Sequence, residues 1–236
     1  MKVLGRWATV GFAVLAVFLG GMAVVITWYL WFTMLPATKF PASVGTSYAV
    51  TAFASTPVVV ATLMLAGRRS GSNVLAYLGL DVPRWRHIAI AVAGLAVWMV
   101  FVTALGFVLG RKTQPRMLEN LLSARADGTL IWLTLAIVVA APIQEEVLFR
   151  GFMFRGFVHA PRDASPSIVL ISLIWSLLHF QYDWIGIAEI FVFGLLLGLV
   201  RWRTGSTTLT ILLHMVANLT IWTRLWLWIE TELMVG

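Results

Sequence analysis

Ala141-Pro142-Ile143-Gln144-Glu145-Glu146-Val147-Leu148-Phe149-Arg150-Gly151 closes a long apolar run that opens at Leu130. It puts two carboxylates and a guanidinium where lipid or tightly packed protein is expected. A charged group at mid-membrane depth costs roughly 2.5–3.5 kcal/mol on insertion scales, so such a cluster should have a use. Two other stretches place histidine inside comparable apolar runs, Trp175-Ser176-Leu177-Leu178-His179 and His214-Met215-Val216-Ala217-Asn218. The chain reads as a membrane scaffold that brings these three stretches together.

Composition supports that reading. Of the 236 residues, 60% are hydrophobic and 11% charged, with a mean hydropathy of +0.91; soluble domains carry about 25% charge. So little polar surface cannot cover a water-soluble globule, and an integral, multi-pass membrane protein in contact with the lipid bilayer is expected. The net charge of +7 would suggest nucleic acid in a soluble chain. Here the basic residues fall between apolar runs, where they set membrane orientation, and no nucleic-acid partner is expected. The absence of cysteine excludes disulfides, thiolate nucleophiles and cysteine-held metals. Lys2 and Arg6 precede an apolar run from Trp7 to about Phe32, longer than the roughly 7–15 residues of a signal-peptide core, so it reads as a retained span.

The fold class expected is all-α, a polytopic transmembrane bundle of about seven to eight helices forming one domain over residues 1–236. Spans are predicted at about 7–32, 46–66, 87–109, 129–157, 166–184, 185–200 and 205–223. Ser165-Pro166 should open the fifth, as N-cap and first helical residue. Trp222, Arg224, Trp226, Trp228, Glu230 and Glu232 read as an interfacial helix end. Basic loops favour a cytoplasmic N-terminus: Lys2 and Arg6, then Arg68, Arg69, Arg84 and Arg86, then Arg155 and Arg162, then Arg201 and Arg203 all fall on one side. The loop with Arg111, Lys112, Arg116 and Arg125 is the exception; within it, Leu118 to Ser123 is predicted to form a short surface helix.

Helical spacing constrains the polar residues. Glu145 and Glu146 lie about 100° apart and cannot face one point. Glu146 and Arg150 form an i,i+4 pair with the acid on the favourable N-terminal side, which leaves Glu145 to face the bundle centre. Trp175 and His179 share a face by the same rule, as do His214 and Asn218. Counting rise per residue puts Glu145 roughly 18 Å from Phe157, His179 about 20 Å from the start of its helix and His214 about 14 Å from Gly205, so one site near mid-depth can be shared by three helices. A carboxylate and an imidazole away from bulk water suit activation of a water molecule. A second imidazole and an amide suit a developing oxyanion.

The ordered set Glu145-Glu146-x-x-x-Arg150, Trp175-x-x-x-His179 and His214-x-x-x-Asn218 resembles the CAAX protease and bacteriocin-processing (Abi) family, which includes type II CAAX prenyl endopeptidases and bacterial intramembrane glutamic proteases. The resemblance covers about residues 73–220, after two N-terminal helices in 1–66, and takes in Leu78 to Pro83 and the Thr204-Gly205-Ser206 turn. It implies an endopeptidase in which Glu145 and His179 activate water and His214 and Asn218 stabilise the oxyanion. Glu146 and Arg150 belong to the motif as support. Trp175 stands where phenylalanine is frequent and should serve as an aromatic packing wall. No metal and no cofactor are expected. A zinc site of two histidines and a carboxylate is the alternative, although no His-Glu-x-x-His is present.

Other residues read structurally. Glu189 lies inside an apolar run and is taken as a bundle or interface residue, and Gly194 and Gly198 as a small-x-x-x-small pair for close helix packing. His87 and His159 sit at interfaces without an assigned role. Two other functions compete: a non-catalytic scaffold or immunity protein that binds a membrane partner, and an ion-linked transporter, which lacks the expected inverted repeat. The only lysines are Lys2, Lys39 and Lys112, a bias consistent with a high-GC bacterium and its plasma membrane. The substrate expected is membrane-associated, prenylated or a leader peptide; in such a cell leader-peptide maturation, bacteriocin self-immunity or processing of a membrane regulator ranks ahead of CAAX cleavage.

Overall fold

The structure is a computed structural model that describes residues 3–34, 43–71, 73–110 and 115–235. Lys2, Lys39, Arg111 and Lys112 lie outside the described residues, as do the side chains of Arg116 and Glu232. Among the described residues there are helices and no strands. In chain order they are α1 (Arg6–Met34), α2 (Val44–Arg68), α3 (Val74–Leu78), α4 (Trp85–Val108), α5 (Pro115–Ala126), α6 (Leu130–Phe157), α7 (Ala164–Leu177), α8 (Trp184–Thr204) and α9 (Thr207–Val235). Five of them, α1, α2, α4, α6 and α8, are long and apolar enough to cross a membrane. The chain is an integral membrane protein. Its outward faces are correspondingly greasy: α4 buries only Ala91 and Leu95, while Ile90, Val97, Val100 and Phe107 are 70–88% exposed. A helix that buries two residues and presents aliphatic and aromatic side chains along its length is solvated by lipid.

Three expectations are corrected. The fifth span, placed at 166–184, ends at Leu177. At 14 residues, α7 is about 21 Å long, short of the roughly 30 Å hydrocarbon core. It starts at Ala164 after a 3₁₀ turn, Pro161–Asp163, rather than at the Ser165 cap. It ends because Asp183 caps the next helix, its side chain accepting the Gly186 N–H at 2.7 Å. Residues 178–183 therefore form a turn, and His179 sits in it rather than at mid-helix. The last helix runs unbroken to Val235, and its supposed interfacial end is partly interior. Trp222 is buried and donates its indole N–H to Thr134 Oγ1 (2.9 Å), and Glu230 pairs with Arg125 of α5.

α6 contains a proline, and its backbone records it. Residues Ala136–Ala140 and Val147–Met153 are π-helical and flank the α-helical Ala141–Glu146. Pro142 has no N–H, so a regular α ladder would leave the Val138 carbonyl without its donor. Widening to i→i+5 bonding moves the gap: Ala141 N–H bonds Ala136 O, and Ile137 O is now the carbonyl that faces Pro142. The Asn218 amide fills that place, donating Nδ2–H to Ile137 O at 2.9 Å.

Tight approaches hold the bundle around α6. On α8, a Cβ at Gly194 would meet Ser172 Cβ at 2.9 Å, and one at Gly198 would meet Ile168 Cγ2 at 2.7 Å, so α7 and α8 touch backbone to side chain. After α3 the chain turns at Gly79, whose φ of 69° is left-handed. A Cβ there would lie 2.6 Å from Gly205 O and 2.7 Å from Arg201 Nη2. Gly71 has the same kind of φ, 70°, with nothing within 4 Å. Gly79→Ala should therefore destabilise by well over the about 1–2 kcal/mol of the left-handed conformation, and Gly71→Ala by that backbone part alone. Paired thermal-unfolding curves in detergent check this; equal Tm losses would mean the Gly79 crowding relaxes at no cost.

Candidate functional site

Trp175 is the hub of the polar cluster. It is 2% exposed and its indole N–H donates to Glu145 Oε2 at 2.6 Å. The His179 ring meets its face edge-on at a centroid distance of 5.2 Å, and the His214 ring does so at 5.4 Å. The Arg150 guanidinium lies over it at 4.2 Å, within cation–π range. All three sequence motifs thus converge on one side chain from α6, α7 and α9.

The second acid does different work. Glu146 and Arg150 are 0% and 1% exposed and form the i,i+4 pair with Nη1 donating to Oε1 at 2.9 Å. The same oxygen accepts from His214 Nδ1 at 3.0 Å. Arg150 Nη2 donates to Gly194 O (3.3 Å), and Arg150's own carbonyl accepts from Arg201 Nε (2.9 Å). A buried ion pair needs such extra bonds, because Coulomb attraction alone does not repay desolvation.

Glu145 does not stand free at the bundle centre, as helical spacing had it. It is half-buried and tied to Trp175. An indole is a donor only, and a buried one seeks an acceptor; that is the signal by which Trp175 could have been read as more than a packing wall. His179 gives Nδ1–H to Trp175 O at 2.9 Å. A carbonyl can only accept, so this bond fixes the neutral ring's tautomer and leaves Nε2 with a lone pair. His214 and Asn218 both face α6, the first at Glu146 and the second at Ile137.

Sequence reasoning missed four supports. Gln144 Oε1 accepts from Ser55 (2.8 Å) and Thr56 (3.2 Å), locking α2 to the acidic turn. Arg201, read as a loop arginine, is 7% exposed. Phe193 stacks on Trp98 (4.5 Å) and meets His214 edge-on (5.7 Å). Tyr182, in the turn after α7, is a half-buried phenol close enough to Glu145 and Tyr48 to interact with them electrostatically. Glu189 is half-buried in the second turn of α8. Among the described residues, no three His, Cys, Asp or Glu groups lie close enough together to hold a metal ion.

Residues 127–220, which contain every motif residue above, match the family model for type II CAAX prenyl endopeptidase Rce1-like proteins. The site-bearing region is similar to Rce1-like proteins. This bears out the resemblance carried by the three motifs, over a shorter stretch than 73–220. Two curated proteins are similar. An uncharacterized 24.3 kDa protein of Escherichia coli is 34% identical over 129 residues, covering 54% of this chain and 59% of the relative. The uncharacterized protein YyaK of Bacillus subtilis (strain 168) is 25% identical over 145 residues, covering 57% and 46%. The chain thus spans about half the length of the curated relatives it matches. No solved structure gives a significant match.

Proposed function

We propose that this Rce1-like protein is an intramembrane endopeptidase of glutamic type that hydrolyses a peptide bond in a membrane-associated substrate. The observation that carries the reading is the Trp175 hub, which gathers Glu145, His179 and His214 within single contacts of one ring. Glu145, with one oxygen held by the indole, has the other for a water proton. His179 Nε2, left basic by the bond at Nδ1, accepts from the same water. Water oxygen attacks the scissile carbonyl, the carbonyl C–N bond breaks, and the abstracted proton passes to the leaving amine.

The oxyanion is then met by His214 and Asn218. His214 already gives Nδ1 to Glu146, so it can donate from Nε2 only in its doubly protonated form. Asn218 has one amide proton on Ile137 O and a second for the oxyanion. The substrate class is a leader peptide, a membrane regulator or a bacteriocin-like peptide. The test is comparative peptidomics of membranes carrying wild-type protein or Glu145→Gln. Fragments that vanish with the variant support the reading; identical peptidomes, together with a stoichiometric co-purifying partner, would turn it into a binding scaffold.

Trp175→Phe probes the hub. It keeps the aromatic wall and deletes only the donor to Glu145. A hydrogen bond to a charged group is worth about 1.5–3 kcal/mol, so kcat should fall by about 10- to 100-fold with KM little changed. Unchanged turnover would show that the indole N–H does not position the acid.

A further inference from the structure

Two connections meet at one end of the bundle. The chain leaves α3 through residues 79–84 to enter α4 at Trp85, and it passes from α8 to α9 at Gly205 and Ser206. Thr207 N–H donates to Gly79 O at 2.7 Å, and Ser206 Oγ reaches Asp81 O at 3.5 Å, so the two connections lie against each other. Beside them is a cavity of about 490 Å³ whose walls include Asp81, Arg84, His87, Arg203, Thr204 and Ser206. That volume falls in the range of small-molecule sites. A second hollow of about 500 Å³, lined by Arg84, Trp85, Arg86 and His87, shares Arg84 and His87 with it.

The lining groups differ in what they leave for a ligand. Thr204 Oγ1 donates to Val200 O (2.7 Å) and Ser206 Oγ accepts the Leu209 N–H (3.1 Å), so both hydroxyls are engaged at their own helix ends. Asp81 interacts electrostatically with Arg201, which is buried beside Gly79, so that acid already has a cation. The exposed Arg84 and Arg203 guanidinia and the half-buried His87 imidazole remain. Arg203 lies over the Trp202 ring at 5.0 Å, and Arg86 over Trp85 at 5.6 Å. Stacking fixes a guanidinium's plane and leaves its N–H edge free to fork onto two oxygens of a phosphate. The rim is apolar: Val82 is 94% exposed and Trp85 72%. Because α4 and α8 are long and apolar enough to span, a cavity at their ends lies at the bilayer surface, where tryptophan rings settle at headgroup level.

We propose that this cavity binds the phosphate of an anionic phospholipid headgroup. Arg84 and Arg203 grip the phosphate oxygens, His87 adds a ring N–H, and Val82 and Trp85 carry the glycerol and the start of the acyl chains. A free phosphate has the same charge chemistry and no use for the apolar rim. Basic pockets between membrane helices suit lipid headgroups for this combination of reasons.

The test titrates the whole chain in detergent with dioleoylphosphatidylglycerol or dioleoylphosphatidylcholine and counts bound lipid by native mass spectrometry. A basic side chain near the headgroup is worth about fivefold in affinity, so Arg84→Gln/Arg203→Gln should weaken the first phosphatidylglycerol by about 30-fold and leave phosphatidylcholine unchanged. Arg68→Gln/Arg69→Gln removes the same charge at the end of α2 and should change that affinity by less than about twofold, because solvent screens distant surface charges. A ligand that binds the folded state raises Tm, so phosphatidylglycerol should raise it for the wild type and the α2 variant and not for Arg84→Gln/Arg203→Gln. If that double variant does not accumulate, either single variant replaces it, with an expected loss of about fivefold. Equal losses from the two double variants would reduce the site to general surface charge and overturn it, as would equal affinity for the two lipids. Inorganic phosphate that displaces phosphatidylglycerol at equal concentration would make the occupant a free phosphate and overturn the lipid assignment. None of these readouts needs turnover, so they stand apart from the endopeptidase reading.

Discussion

Glu145→Gln is expected to leave the protein folded and to lower kcat for peptide hydrolysis by about 10²- to 10⁴-fold, the range lost when a positioned general base is removed. The substitution is nearly isosteric. The amide oxygen can still accept the Trp175 indole N–H, so the 2.6 Å contact survives and the local packing with it. What disappears is the ability of the second oxygen to take a proton from water. Glu146→Gln makes an instructive contrast in the same assay: that side chain is fully buried and touches Arg150 and His214, so its loss acts through His214 and through stability. Full turnover by a correctly folded Glu145→Gln, measured on the purified protein with a cleaved peptide, would remove the mechanism.

The largest stability effect is expected at the buried pair. Arg150→Met takes the guanidinium from Glu146 at 0% exposure and leaves it the His214 hydrogen bond; breaking one side of a buried ion pair costs about 3–5 kcal/mol. For a chain of this size that is a Tm loss on the order of 10 °C. The double variant Glu146→Gln/Arg150→Met removes both charges and should recover a large part of the loss, since buried ion pairs are often replaceable by neutral groups. Thermal unfolding of the two variants in one detergent checks this. A double variant no better than Arg150→Met would place the cost in the lost Gly194 contact and the packing against Trp175 instead.

What could be read from the chain itself follows helical periodicity and hydropathy. The i,i+4 rule finds pairs on one helix, and the Glu146–Arg150 ion pair is there, as is the common face of His214 and Asn218, both turned toward α6. Apolar runs locate α1, α2, α4, α6 and α8 to within a few residues, whereas the span placed at 205–223 continues as helix to Val235. Periodicity says nothing, however, about which neighbouring helix a face meets. Three-dimensional packing alone decided that His214 serves Glu146 rather than Glu145, that Trp175 holds Glu145 by its N–H, and that Arg201 turns inward to an α6 carbonyl. The placement of His179 in a turn also escaped the sequence, because an apolar run continues past Leu177 while the Asp183 cap starts a new helix. The proline in α6 was visible throughout. That its missing N–H would be answered by widened helix turns and by Asn218 depended on a partner about 80 residues away, within hydrogen-bond reach only once the bundle has closed.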